Sequence, residues 1–464
     1  MIMKKIVSFA LVLVMLVSVL GMTACKDKKN TGNEIVVSTA NFSVNQGMFA
    51  YYFKVTLSGY EDYLEGLGVD PNVSLKEQEC PYVLKGEKTW FTYFAEMTKD
   101  YISEIIALCQ EAYEAGVTLD EEEIKNIDSY MADIAEAAKN YGSGIDEYVS
   151  LVVNNPFTGA DLRKCLEMES LAAKYSDEFY ANINLSDEEI EAYYQANSAS
   201  YDTIDLCSFT VTVNEEDAEH VREVMAKLLS ATNSEDFLKL VREYIEAGYL
   251  KNGQEIDADA EAAIEDYLYS CAYRGIKATD FIIKETANWA MTAKVGDTYL
   301  EESNGSFAVY LITREMSRDN SLKRNVRVAY FSADTYKDDT VPTSVYKTWE
   351  EAGFTEEKFI ELNNKYSQDD EKRDAGGLYT NIGYGDYIKE FNDWLFAEGR
   401  AAGDPGLVHT SDGWYLVYYV GENKIAQWES DIITDCANEM YNGIIDEYYY
   451  SLVYDDEVIS GIDY

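Results

Sequence analysis

The residue types that commonly carry chemistry are sparse in this chain of 464 residues. It holds 2 histidines, His220 and His409. His220 falls among Glu216, Glu219 and Glu223, as on a solvated helical face, and His409 reads as a surface turn. Of the 7 cysteines, Cys25 stands apart near the N-terminus, while Cys80, Cys109, Cys165, Cys207, Cys271 and Cys436 are scattered. None forms a C-x-x-C pair and none has a histidine at ligand spacing, which argues against a dithiol redox centre and a zinc site. Six is an even number, so both disulfides and separate half-buried thiols stay open. No H-E-x-x-H, G-x-S-x-G or G-x-x-x-x-G-K-[ST] occurs, and a hydrolase has no support. The acidic pair Asp369-Asp370 reads as a solvated loop rather than a cation site. Tyrosine, by contrast, occurs 39 times. Its flat apolar body and polar tip suit surfaces and grooves.

Charge narrows the classes further. There are 85 Asp plus Glu against 38 Lys plus Arg, a formal net charge of −47. Phosphate contacts need clustered cations, so nucleic acid is excluded as a partner. Adsorption to anionic lipid by charge alone is excluded for the same reason. With 47% hydrophobic residues the chain is not disordered by composition. Its length predicts two to four domains at roughly 100–200 residues each.

The N-terminus reads as an address. Lys4 and Lys5 precede an apolar run over residues 6–21, then Met22-Thr23-Ala24-Cys25 and Lys26-Asp27-Lys28-Lys29. This is the layout of a secretory signal, shorter than the ~20 residues of a full membrane span. The Cys directly after small residues resembles a bacterial lipoprotein signal, with Met22 where Leu, Val or Ile is usual. That resemblance implies removal of residues 1–24, a lipid on Cys25 and an extracytoplasmic location. Residues 25–34 then form a polar tether.

The elements follow from periodicity. Residues 36–44 read as a strand and turn, followed by a helix from Asn45 through Met48, Tyr51, Tyr52 and Val55. Residues 93–115 form a helix with Ile102, Ile105, Ile106, Cys109 and Tyr113 on one face, ended by Gly116. Thr118 with Glu121, and Ser186 with Glu189, have capping-box spacing. Another helix covers residues 160–180. Residues 428–453 place Trp428, Ile432, Cys436, Met440, Ile444, Tyr448 and Leu452 in a strict i+4 stripe, which predicts burial against the N-terminal helices.

Between these helical ends lies an internal repeat. Ile204-Asp205-Leu206-Cys207-Ser208-Phe209 stands opposite Val326-Arg327-Val328-Ala329-Tyr330-Phe331, and Phe237, Leu240 and Tyr244 opposite Phe359, Leu362 and Tyr366, all at an offset of 122. Trp289, Gly296-Asp297, Asn304-Gly305 and Val309-Tyr310-Leu311 match Trp394, Gly403-Asp404, Asp412-Gly413 and Leu416-Val417-Tyr418 at offsets of 105 to 108. The first copy thus carries about 17 extra residues around 254–266. Two copies of one small α+β module account for this pattern.

The second copy resembles the parvulin-type (PpiC, rotamase) peptidyl-prolyl cis-trans isomerase family. Phe359, Leu362, Tyr366-Ser367, Asp369 and Gly376-Gly377-Leu378 carry the match, continued by Phe391, Phe396, Gly403, Gly413 and residues 414–420. The resemblance spans 323–424. The first copy, 199–318, keeps only the opening strand, the helix and the closing strand. Gln110-Glu111-Ala112, Ala115-Gly116-Val117-Thr118 and Asp161-Leu162-Arg163 resemble the helical portion of PrsA-like and SurA-like foldases. The implied fold is α+β. A helical chaperone domain over 35–198 is completed by a C-terminal helix over 425–464 and carries two small parvulin-like domains.

The resemblance also implies a site and marks where this chain departs from it. Parvulins hold one histidine in the first strand and one in the last, beneath a proline pocket. Here those positions are Val328 and Tyr415 in the second copy, and Leu206 and about Phe307 in the first. Asp369 matches the polar position, Phe391 a pocket ring, and Tyr387 lies near the remaining apolar position. The implied pocket is Val328, Asp369, Tyr387, Phe391, Trp414 and Tyr415, with Asp369 the candidate catalytic residue and no metal or cofactor. Without the histidines the second copy is expected to isomerise proline weakly or not at all, and the first to be inactive. The expected partners are unfolded or newly secreted polypeptides. An active isomerase with an altered pocket and a solute-binding lipoprotein are the alternatives.

Overall fold

The computed structural model describes residues 32–64, 66–83, 86, 88–212, 218–303 and 305–464. The N-terminal apolar run and Cys25 lie outside the described residues. The chain divides into two units, one running to Asn184 and including Asp435–Tyr464, the other Leu185–Thr434.

The first unit is helical. A two-stranded ribbon, β1 (Ile35–Ser38) and β2 (Ser43–Asn45), leads into α1 (Gln46–Ser58). Asn45 caps α1 by accepting the Met48 N–H at 2.8 Å. α2 (Trp90–Ala115) ends at Gly116, whose φ of 74° provides the left-handed C-terminal cap. α3 (Glu121–Tyr141) is capped two residues later than the sequence spacing suggests. The Asp120 carboxylate accepts from the Glu122 and Glu123 N–H groups, and Glu123 accepts the Asp120 N–H at 2.7 Å. The Asp side chain wins over Thr118 because an ionised acceptor binds amides more strongly. α4 (Ile145–Val153) and α5 (Gly159–Asn182) follow, the latter opened by a Thr158–Asp161 capping box. Met48, Phe49, Phe53, Phe94, Ile102, Ile105, Ile106 and Cys109 form one core, while Tyr113 is exposed.

The C-terminal segment contributes Tyr441, Ile459 and Ile462 to this core. Tyr441 donates to Glu104 at 3.1 Å and Tyr448 to Glu111 at 2.9 Å. The predicted stripe along Gln427–Ser451 does not hold as one face. Trp428 and Ile432 are buried, but Met440 is exposed and Ala437 and Tyr441 take its place. A strict four-residue spacing advances 40° beyond each full turn, so the stripe winds away from the core.

The second unit begins with α6 (Asp187–Asn197), capped by the Ser186–Glu189 box. This helix lies with the second unit, unlike the expected boundary at 198. Arg318 bonds Glu191 at 2.9 Å and lies 3.7 Å above the Tyr194 ring, which packs on Trp428. Two modules of one design follow. The first holds β3 (Thr203–Thr212), α7 (Ala218–Leu228), α8 (Ser234–Lys251), α9 (Ala258–Ser270), β4 (Ala272–Lys277), α10 (Lys284–Ala290), β5 (Thr298–Ser303) and β6 (Ser306–Ser317). The second holds β7 (Arg324–Ser332), α11 (Thr340–Glu351), α12 (Glu356–Tyr366), β8 (Leu378–Ile382), α13 (Lys389–Leu395), β9 (Pro405–Thr410) and β10 (Gly413–Glu422). Their antiparallel sheets have matching orders, β4-β3-β6-β5 and β8-β7-β10-β9. α9 accounts for the acidic insert of the first module.

Hydrogen bonding revises the alignment of the copies. Ser208 N–H donates to the Cys271 carbonyl at 2.8 Å, as Val328 N–H does to Gly377. Leu206 pairs with Tyr273 as Val326 pairs with Tyr379. The strands therefore correspond at an offset of 120, while the helix caps Asn233 and Thr355 keep 122. Val328 is matched by Ser208, not Leu206. Gly296 N–H to Ile312 and Gly403 N–H to Tyr419 set the closing hairpins at 107, so Tyr415 is matched by Ala308, not Phe307. On β3 the slip of two residues preserves the face of every side chain, which is why the apolar pattern did not reveal it, whereas the one-residue slip on β6 exchanges the faces.

Candidate functional site

Strand alternation builds the floor of the site. Val328 pairs with Val417 and Tyr330 with Tyr415, which puts Val328, Tyr330 and Tyr415 on one face of the second sheet. α13 lays Phe391 across that face, and the loop before it brings Tyr387 and Ile388. With Tyr379 of β8 and Asp412 of the β9–β10 turn they enclose a cup of about 120 Å3. The rings adjoin in sequence around it. Tyr379 lies 6.1 Å from Tyr387, Tyr387 5.3 Å from Phe391, and Phe391 6.0 Å from Tyr415.

Two carboxylates fix the phenols. The Tyr379 hydroxyl donates to Asp369, and the Tyr415 hydroxyl donates to Asp412 at 2.7 Å. Thr410 also donates to Asp412, and the Tyr330 hydroxyl reaches the Asp412 carbonyl at 2.9 Å. Burial alone would raise the Asp412 carboxyl, but the hydroxyls of Thr410 and Tyr415 hold it below the usual carboxylate range. Burial first, and then the bond to a carboxylate, push the Tyr379 and Tyr415 phenols well above their ordinary value. Both phenols are therefore protonated at neutral pH, with that proton committed to an acid.

Of the residues singled out in the sequence, Val328, Tyr387, Phe391 and Tyr415 line this cup. Asp369 stands behind Tyr379, where it also caps the next helical turn by accepting the Lys372 N–H at 3.2 Å. Trp414 is on the opposite face. It pairs with Phe331, packs with the cluster around Trp349, and lies 5.1 Å from His409. Neighbours on a strand point to opposite sides, so Trp414 and Tyr415 cannot share a pocket. His409 belongs to β9 and lies directly across from Trp414, also away from the cup. Tyr379, Ile388 and Asp412 were not anticipated. In the sequence Asp412 stands out only through the Asp412-Gly413 pair of the internal repeat, and Tyr379 follows directly on the Gly-Gly-Leu run.

The first module has no such cup. By the corrected register Ser208 stands for Val328, Thr286 for Phe391, Glu301 for Val408 and Ala308 for Tyr415. Thr286 is fully buried and donates to Glu301. A polar pair has replaced the cup wall Phe391 and the core residue Val408, and a methyl has replaced a ring. A wider opening of about 500 Å3 lies between Leu238, Tyr269 and Arg274 of the first module and Tyr384 and Lys389 of the second. Three of its cations are engaged, Arg242 with Glu261 at 2.8 Å, Lys389 with Asp393 at 2.6 Å, and Arg274 over the Tyr384 ring at 4.2 Å. The flanking modules are antiparallel sheets, unlike the α/β lobes expected of a solute-binding protein.

Cys80, Cys109, Cys165, Cys207 and Cys271 are buried, free thiols. Burial pushes the Cys109 thiol up to about 12, and Cys207 and Cys271 up to about 11, so they are packing groups rather than nucleophiles. No group of His, Cys, Asp or Glu among the described residues is arranged to hold a metal ion.

The model of the family described as PPIC-type PPIASE domain matches residues 349–423. No curated protein matches the chain in sequence. Among solved structures, a peptidylprolyl isomerase (PrsA) from Bacillus anthracis is similar at 12% identity, covering 60% of this chain and 91% of that one, with a TM-score of 0.20. PrsA from Bacillus subtilis is similar at 11% identity, covering 93% and 94%, with a TM-score of 0.20. The foldase protein PrsA from Streptococcus pneumoniae is similar at 12% identity, covering 82% and 96%, with a TM-score of 0.19. Residues 349–423 make the second module a member of the parvulin-type, PPIC-type peptidyl-prolyl isomerase family.

Proposed function

We propose that this chain is an extracytoplasmic foldase, held at the membrane by a lipid on Cys25, that binds unfolded secreted polypeptides and isomerises proline only weakly. The observation that carries this reading is the aromatic cup whose two rim phenols are both committed to carboxylates. Proline isomerisation breaks no covalent bond. Its barrier of about 18–20 kcal/mol comes from lost amide resonance. Catalysis requires that the twisted amide be held better than either planar form. The walls formed by Phe391, Tyr387 and Val328 accept the pyrrolidine ring in all three. The twisted form differs by a lone pair localised on nitrogen, and that lone pair needs a donor. The Tyr379 and Tyr415 protons already point at Asp369 and Asp412. Uniform binding then gives affinity with little acceleration.

The test is a proline-limited refolding assay run beside an aggregation assay on the same client. Tyr387→Ala is the better probe, because Tyr387 is 41% exposed whereas Phe391 is 4% exposed and part of the core. Phe391→Ala would cost about 3–5 kcal/mol of module stability and confuse the result. The expected outcome is marginal acceleration, with weaker binding of a proline-containing peptide in the Tyr387→Ala variant. Strong acceleration that Tyr387→Ala abolishes would establish the active-isomerase alternative. For the anchor, Cys25→Ser is expected to abolish incorporation of labelled palmitate and release the protein from the membrane fraction. No helix among the described residues is long and apolar enough to cross a membrane.

A further inference from the structure

We infer that the first module, although it has no proline cup, takes an extended, lysine-flanked polypeptide segment as an added strand on the open edge of β3. The inference concerns a different surface from the cup and does not depend on it.

β3 is longer than its neighbour on one side. β4 pairs with β3 only as far as Cys207, and the last bond on that side runs from Ser208 N–H to the Cys271 carbonyl. Backbone groups alternate sides along a strand, so those of Thr210 and Thr212 face the same way as those of Ser208. Both residues are exposed, and their amides have no partner among the described residues. On the other side β3 is fully paired with β6 through Thr212. The edge borders a groove of about 490 Å3, walled by Phe209, Tyr244, Tyr249, Ile264 and Tyr267. Apolar side chains thus stand beside unpaired backbone donors and acceptors, the arrangement by which sheets capture extended peptides.

The sister module shows what belongs on this edge. There the chain itself fills it. Tyr330 N–H donates to the Ser367 hydroxyl at 3.1 Å, Ser332 N–H to the Gln368 side chain at 2.8 Å, and Gln368 N–H to the Tyr330 carbonyl at 2.9 Å. This is possible because α12 stops at Tyr366 and releases an extended segment. In the first module α8 runs on to Lys251, well past Tyr244, the counterpart of Tyr366. Among the described residues no segment returns to this edge, which leaves it for another chain. Charge specifies that chain further. Residues 252–270 carry Glu255, Asp257, Asp259, Glu261, Glu265 and Asp266 and no cation. Glu261 and Glu265 are engaged by Arg242, and the remainder favour a basic segment.

The probe is the labelled heptapeptide Lys-Val-Thr-Val-Tyr-Val-Lys, which contains no proline, used with the full chain. Its control is the same peptide methylated at every interior amide nitrogen, which keeps the side chains and removes the donors. Two edge hydrogen bonds predict binding weaker by about tenfold or more for the methylated form. Saturating peptide is expected to slow hydrogen exchange at Thr210 and Thr212 to a similar degree. Thr210→Pro, which removes one outward N–H, is expected to weaken binding about tenfold with the fold retained by circular dichroism. The exchange experiment uses the unaltered chain and decides the matter even where that variant fails to fold. Absence of saturable binding, equal binding of the methylated peptide, or unchanged exchange at 203–212 under saturation would each overturn the inference.

Discussion

Gly377, which has no functional group, controls the shape of the cup. Its φ is 72°, and a Cβ placed there would run into the Val328 carbonyl oxygen, the acceptor end of the strand that floors the site. Gly399 has a similar φ of 81° but open space around it. Gly399→Ala should therefore cost only the left-handed strain, about 1 kcal/mol, while Gly377→Ala adds a backbone displacement and should cost about 2–3 kcal/mol. Urea midpoints of the two variants check this, and equal losses would show that β7 yields freely. Residue types in the Gly-Gly-Leu and Phe391 positions were legible because they obey local demands. Trp414 was misplaced because a ring count cannot tell one strand face from the other. Asp412 was missed because its role arises only when the β9–β10 turn brings it beside Tyr415.

Elements were easier to read than their registers. Caps such as Ser186–Glu189 and the glycine at 116 mark helix ends in the sequence itself, because the cap residues act on their near neighbours. The offset between the repeats was blurred by two residues, since sheet pairing is set by partners far along the chain. Burial within the helical unit hides another feature of this kind. Glu169 of α5 lies among Tyr51, Tyr52, Tyr101, Tyr130 and Cys165, and burial pushes its carboxyl up to about 8 against a weaker pull from Tyr51. Below the ordinary Glu value of 4.5 both folded and unfolded chains hold this proton. Between 4.5 and about 8 only the folded chain holds it, so stability falls as pH rises, by at most about 1.4 kcal/mol per pH unit. Above that range the loss levels off. Glu169→Gln should flatten this slope and stabilise the helical unit at pH 8, read by thermal unfolding across pH 5 to 8, where the unaltered chain should lose at most about 3–6 °C per pH unit. A slope identical to that of the unaltered chain would mean that water or another group neutralises Glu169.

The whole molecule combines 39 tyrosines with a formal charge of −47, and under the proposed function the two properties make different demands on a client. Aromatic grooves hold apolar segments of any charge, whereas the net field attracts basic chains and repels acidic ones. Salt separates the contributions, because screening shortens the reach of the field to about 10 Å at 0.1 M while leaving apolar contact intact. Reduced lysozyme, a basic client, should be kept from aggregating most effectively at low salt, with protection falling several-fold by 0.5 M sodium chloride. Reduced α-lactalbumin, an acidic client, should show the reverse trend, protected better as repulsion is screened. Light scattering at a fixed ratio of chain to client measures both. If the two clients respond to salt alike, the acidity serves solubility alone and capture is wholly apolar. If they diverge, the charge selects clients before the grooves touch them, and the acidic stretch beside β3 is the first place to look for that selection.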